Sequence, residues 1–133
     1  MKVVVHVDGG ARGNPGPAAI GVVVSAEDGT VLERHAETIG EATNNVAEYR
    51  ALLAGLERAR ALGAEAVEVV NDSELVAKQV NGEYRVRHPA MRPLHAAAQE
   101  ALAGFARWTV RSVPRADNAE ADALVNAALD GTL

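Results

Sequence analysis

Four acidic residues stand where the surrounding pattern gives a carboxylate little structural work. Asp8 closes the Val-rich run that begins at Lys2, and Asp72 follows a second apolar run, Glu65 to Asn71. Glu48 falls in the first turn of a helical pattern starting at Thr43, and Asp122 lies near the start of the last one, Asn118 to Leu129. At about 100° per residue, Glu48 sits about 40° from Leu52, on the shoulder of an apolar stripe, and Asp122 sits about 20° from Leu129. Both helices therefore aim an acid toward the sheet. Gathering three or four carboxylates in one cleft without cations raises their pKa values or forces them apart. A hard divalent cation removes that cost, and an all-oxygen ligand set suits Mg²⁺ or Mn²⁺. Two such ions about 3.5–4 Å apart are the known device for in-line displacement at a phosphodiester.

Three of the acids also have a local explanation. Glu48 is three residues after Asn45, a capping-box spacing. Asp72 precedes Ser73 and is placed to cap the next helix, and Asp122 suits the positive end of a helix dipole. Asp8 has no capping duty at the end of a Val run. Three of the four termini should lie at the same sheet edge, and that joint occurrence is what favours a metal centre over separate structural roles.

The elements that must position them follow from periodicity. Lys2 to Asp8 reads as a central strand, apolar on both faces, closed by a wide Gly/Asn/Pro turn from Gly9 to Pro17. Ala18 to Ser25 is a second strand, and Thr30 to Ile39 is the edge strand of a meander. From Thr43 the period becomes helical, with Val46, Tyr49, Leu52, Leu53, Leu56 and Ala59 on one stripe and Gly63 at the C′ position. A strand over Glu65 to Asn71, a short helix over Ser73 to Val80, a loop from Gly82 to Pro89 and a helix from Met91 to Phe105 follow. Arg107 to Val113 alternates as a last strand before the closing helix. The order β-β-β-α-β-α-α-β-α implies a mixed α/β sheet. The right-handed crossover rule sets the fourth strand parallel to the first and beside it, so Asp8 and Asp72 flank one crevice.

Composition narrows the function further. The 133 residues fit a single domain over 1–133, and 27 Ala with 18 Val imply a tight core of small and β-branched side chains. Thirteen basic residues against 18 acidic give a net charge of −5, so any nucleic-acid binding must be local rather than driven by overall charge. With no Cys, disulfides, thiolate metal sites and cysteine nucleophiles are excluded, and a reducing cytoplasm is the expected setting. His6, His35, His88 and His95 are scattered and match no ligand spacing. The apolar run at the N-terminus is too short for a signal peptide or membrane span, so a soluble, unprocessed chain is expected. A monomer is expected as well, because no long apolar stripe is left over once the core is filled.

Four segments carry a resemblance: Val7-Asp8-Gly9-Gly10-Ala11 with Gly13-Asn14-Pro15-Gly16, then Thr43-Asn44-Asn45-Val46-Ala47-Glu48-Tyr49, then Asn71-Asp72-Ser73, then Ala121-Asp122. In this order they resemble ribonuclease H type 1, most closely its compact bacterial and archaeal form. The resemblance implies a ribonuclease H-like fold, a five-stranded mixed sheet in the order 3-2-1-4-5 flanked by helices. It also implies hydrolysis of the RNA strand of RNA/DNA hybrids with two Mg²⁺ or Mn²⁺ ions, leaving 5′-phosphate and 3′-hydroxyl ends. Asp8, Glu48, Asp72 and Asp122 correspond to the family's metal-binding acids, with Asp8 bridging both ions. Asn44 and Asn45 correspond to minor-groove contacts, and Asn14 and Thr43 to residues that hold a phosphate of the DNA strand. Gly9 and Gly10 would let a nucleic-acid backbone approach closely enough for main-chain groups to read a 2′-hydroxyl.

The chain also departs from the family pattern. Many relatives carry a His in the loop before the last helix; here Pro114 to Asn118 has none, and Arg115 is expected to take over by engaging the scissile phosphate or helping it leave. Larger relatives grip DNA with a basic, Trp-containing protrusion, for which this chain has only Gly82 to Pro89, with Tyr84 available to stack on a sugar. Weak, salt-sensitive hybrid binding is expected. Glu74 replaces an amide that contacts the hybrid in some relatives. Two other readings fit the same sequence: a superfamily nuclease acting on another duplex or a junction, and a non-catalytic hybrid-binding module.

Overall fold

The computed structural model describes residues 1–133. Strands β1 (Lys2–Ala11), β2 (Gly16–Ala26) and β3 (Val31–Ala42) form the meander, followed by helix α1 (Asn44–Ala61), strand β4 (Ala66–Asn71), helices α2 (Glu74–Val80) and α3 (Arg92–Ala103), and strand β5 (Arg107–Ser112). A 3₁₀ turn over Arg115–Asn118 then leads into α4 (Ala119–Asp130). The sheet order is β3-β2-β1-β4-β5, as expected, with β1 antiparallel to β2 and parallel to β4. Val3, Val5 and Val7 alternate onto one face of β1 and are at most 1% exposed. They meet Tyr49, Leu52 and Leu56 of α1 in the main core. No helix is long and apolar enough to cross a membrane.

Two expected boundaries move for one reason. Gly9, Gly10 and Ala11 are strand rather than turn, registered opposite Ile20, Ala19 and Ala18, and the edge strand continues past Ile39 until Ala42 pairs with Gly16. Gly9 sits in β1 because α1 crosses directly over it. A Cβ there would overlap the Ala47 backbone carbonyl, so the glycine is a close-approach residue. Gly21, opposite Asp8 in the register, does the same for α4, since a Cβ would stand 2.5 Å from the Ala121 carbonyl. These two contacts seat α1 and α4 on either side of Asp8. Helix α3 is shorter than its pattern, running Arg92–Ala103, whereas α4 keeps its expected length and is shifted by one residue, to Ala119–Asp130, after a 3₁₀ turn over residues 115–118.

Candidate active site

The last registered pair between β1 and β4 is His6 with Val70. Asp8 and Asp72 each lie two residues further on, at the mouth of the crevice where the strands part. Asn71 makes that exit rigid: its Oδ1 accepts from the Ser73 amide at 2.8 Å and its Nδ2 donates to the Arg111 carbonyl at 3.1 Å. Ser73, not Asp72, caps α2, its hydroxyl accepting from the Val76 amide. Thr43 likewise caps α1 through the Val46 amide, so no capping box binds Glu48. Both acids are thereby free of the structural duties that their spacing suggested.

Glu48 instead turns onto β1, where its Oε1 accepts from the Gly9 amide at 3.3 Å. Carboxylate oxygens of Asp8, Glu48 and Asp72 lie within 4.8 Å of one another, with Asp8 only 5% exposed. Burial is the largest cause that drives the Asp8 carboxyl well above its ordinary range, with the charges of Glu48 and Asp72 adding to it. Glu48 is driven up in the same direction, again by burial first and then by Asp72. The two share a proton past neutrality, the expected state of crowded carboxylates without a counter-ion. An all-oxygen, three-acid donor set that strains against its own charge fits a hard divalent cation.

Asp122 stands in the first turn of α4 on the other side of a cleft of about 450 Å³ that also includes the triad, Arg12, Asn44, Asn45, Arg115 and Asn126. It does not join the triad; its Oδ1 accepts from the Arg115 guanidinium at 3.1 Å. The structure thus brings Asp8, Gly9, Gly10, Asn44, Asn45, Glu48, Asp72, Arg115 and Asp122 to one cleft. Asn14 and Thr43 do not line it. Asn14 Oδ1 accepts from the Asn44 amide at 3.1 Å, and Asn44 Oδ1 accepts from the Ala11 amide at 2.9 Å, tying the β1–β2 turn to the start of α1. Tyr84 is elsewhere. It is 49% exposed on a separate groove with Gln79, Arg85 and His95, its hydroxyl accepting from Lys78 Nζ at 3.3 Å.

Two polar side chains of the cleft, Arg12 and Asn126, escaped the sequence reading. Arg12 lies between Gly10 and Gly13 in the first motif and is held by Asp130 at 2.6 Å. A cation inside a glycine-rich segment that abuts an acid was the available signal.

A β3-β2-β1-β4-β5 mixed sheet with acids gathered where β1 and β4 part is the ribonuclease H-like class of α/β fold. The Reverse transcriptase-like family matches residues 6–128. The chain is 47% identical over 129 residues to ribonuclease HI of Halobacterium salinarum, covering 97% of this chain and 65% of that protein. It is 50% identical over 131 residues to a bifunctional protein of Mycobacterium tuberculosis, covering 98% of this chain and 36% of that one. The RNase H1 crystal structure from H. salinarum superimposes with a TM-score of 0.96 at 46% identity, over 98% of this chain and 99% of that one. LC11-RNase H1 in complex with RNA/DNA hybrid gives a TM-score of 0.92 at 42% identity, covering 97% of each chain. The chain belongs to the ribonuclease H type 1 family. It spans about a third of the length of the mycobacterial relative and just under two thirds of the halobacterial one.

Proposed function

We propose that this chain is a divalent-metal-dependent endoribonuclease that hydrolyses the RNA strand of RNA/DNA hybrids, adding water across the bond from phosphorus to the 3′-oxygen to leave 5′-phosphate and 3′-hydroxyl ends. The observation that carries this reading is the triad of Asp8, Glu48 and Asp72, buried enough to hold a shared proton yet open to a cleft. The hybrid as substrate is supported by the relative that was solved in complex with one.

Asp8, Glu48 and Asp72 would hold one cation, and Asp8 with Asp122 a second, Mg²⁺ and Mn²⁺ being the species that suit carboxylate oxygens. When bound, such ions supply positive charge and Lewis acidity at the scissile phosphate. The protein's own residues do the rest. Glu48, braced by the Gly9 amide, fixes the triad's depth, and Arg115 at the rim offers a guanidinium to a phosphate oxygen once released from Asp122. Asn44 retains its Nδ2 as a donor, and the exposed Asn45 amide adds both donor and acceptor toward a shallow minor groove.

We read residues 1–133 as one domain acting as a monomer, with large apolar side chains exposed only at Met1, Leu32, Leu62, Tyr84 and Leu133. The test is single-turnover cleavage of end-labelled RNA/DNA hybrid, double-stranded RNA and double-stranded DNA with Mg²⁺, Mn²⁺ or EDTA. Cleavage of the hybrid's RNA strand only, and only with metal, is expected. Cleavage that persists in EDTA refutes the metal mechanism. Preference for another duplex assigns a different substrate, and a mobility shift without cutting in Mn²⁺ assigns a binding module.

A further inference from the structure

Asn118 closes the 3₁₀ turn before α4, is 1% exposed, and has no part in the roles given above. Its Nδ2 donates to the Val7 carbonyl at 2.9 Å, joining positions 111 residues apart. Beyond the His6–Val70 pair, β1 runs on without β4 beside it. The Asn118 amide supplies a hydrogen-bond donor to β1 in that unaccompanied stretch, next to Asp8. Its Oδ1, by contrast, is buried without a hydrogen-bond partner. Turning the amide over would set oxygen against oxygen at Val7, so the N–H is the working end.

What the bond positions follows from the numbering. Arg115 lies three residues before Asn118 and Asp122 four residues after it, about one helical turn on. Both line the cleft and are bonded to each other at 3.1 Å. A single amide therefore ties the segment that bears both groups to the residue preceding Asp8.

We propose that Asn118 is a positioning residue whose bond to Val7 sets Asp122 and Arg115 at their working distance from Asp8. This rests on reading the cleft as a metal-dependent nuclease centre. The triad of Asp8, Glu48 and Asp72 is placed by β1, α1 and β4, and does not depend on Asn118. Loss of the bond therefore spares the triad and loosens only the Asp122 side of the cleft.

The test compares Asn118→Ala with Asn81→Ala. Asn81 makes the same kind of bond, Nδ2 to the Val110 carbonyl at 2.8 Å, at the far end of α2 and outside the cleft. Assayed at a temperature at which circular dichroism shows both variants folded, Asn118→Ala is expected to lower kcat on RNA/DNA hybrid at least tenfold with KM within twofold. Asn81→Ala should leave both within twofold. In Mn²⁺ titrations of the protein alone by calorimetry, Asn118→Ala should leave the tighter step unchanged and weaken the second at least fivefold. Asn118→Ser, which keeps a donor on a shorter arm, should fall between wild type and Asn118→Ala in kcat; if Asn118→Ala does not fold, a loss of kcat without change in KM in Asn118→Ser supports the proposal in its place, and an unchanged kcat overturns it. Equal turnover by Asn118→Ala and Asn81→Ala, or Mn²⁺ isotherms identical to wild type, overturns the proposal. Wild-type protein that cuts no hybrid in Mn²⁺ refutes the nuclease reading instead, and the isotherms still decide the role of Asn118.

Discussion

Replacing Asp8 by Asn removes the charge at the centre of the cleft, and the structure sets the sign of its effect on stability. The Asp8 carboxyl ionises near 3.8 in an unfolded chain, but burial and then Glu48 and Asp72 hold it protonated past neutrality in the folded, metal-free protein. The folded state thus binds more protons than the unfolded state between about pH 4 and pH 7, so stability falls as pH rises through that window. Three pH units at about 1.4 kcal/mol each set a ceiling near 4 kcal/mol at pH 7. Solvent on the open side of the cleft reduces this to about 2 kcal/mol. An Asn amide keeps the shape and donates to Glu48 in place of the shared proton, so Asp8→Asn should raise the metal-free unfolding midpoint at pH 7 by about 6–8 °C. The gain should shrink toward nothing at pH 4. The same variant should lose hybrid cleavage and nearly all of the stabilisation that Mg²⁺ gives wild type. Thermal unfolding by circular dichroism in EDTA from pH 4 to pH 8, repeated with Mg²⁺, reads all three effects. A variant that is less stable than wild type at pH 7 in EDTA, or a wild-type midpoint that does not fall with pH, refutes the electrostatic reasoning.

Other perturbations separate packing from chemistry. Gly9→Ala pushes a methyl group into the Ala47 carbonyl; it should cost about 1–3 kcal/mol in urea unfolding and depress cleavage, because α1 carries Glu48. Tyr49→Phe removes the hydroxyl that donates to buried Gln79 Oε1 at 2.6 Å; it should cost about 1–3 kcal/mol while kcat stays within twofold, as measured by unfolding and single-turnover cleavage. Arg12→Ala deletes a cation lining the cleft; it should weaken hybrid binding and lower the slope of log K against log salt by about one, measured by fluorescence anisotropy.

The sheet was legible because strand and helix periods are clean in this chain, and because the crossover rule leaves one place for the fourth strand. The triad was legible for a different reason. No single acid was decisive, but Asp8 lacked any capping duty, and the others fell at element ends that the topology brings together. Gly9 and Gly10 read as turn because glycine usually marks one; the crossing of α1 over Gly9 is set by tertiary packing and has no local signal. Cap assignments slipped by a residue or two at Asp72 and Asn45, since neighbouring Ser73 and Thr43 compete for the same amides. The Arg12–Asp130 and Asn118–Val7 contacts join residues more than a hundred positions apart, and no local pattern encodes them.

The central claim is that three carboxylates from β1, α1 and the end of β4 form a cation site. Anomalous diffraction from crystals soaked in Mn²⁺ measures it directly. The account predicts a Mn²⁺ peak within coordination distance of Asp8, shared with Glu48 and Asp72, and its loss in Asp8→Asn. Saturating Mn²⁺ that leaves no anomalous density among those three side chains, in protein that still cleaves hybrid, would contradict it.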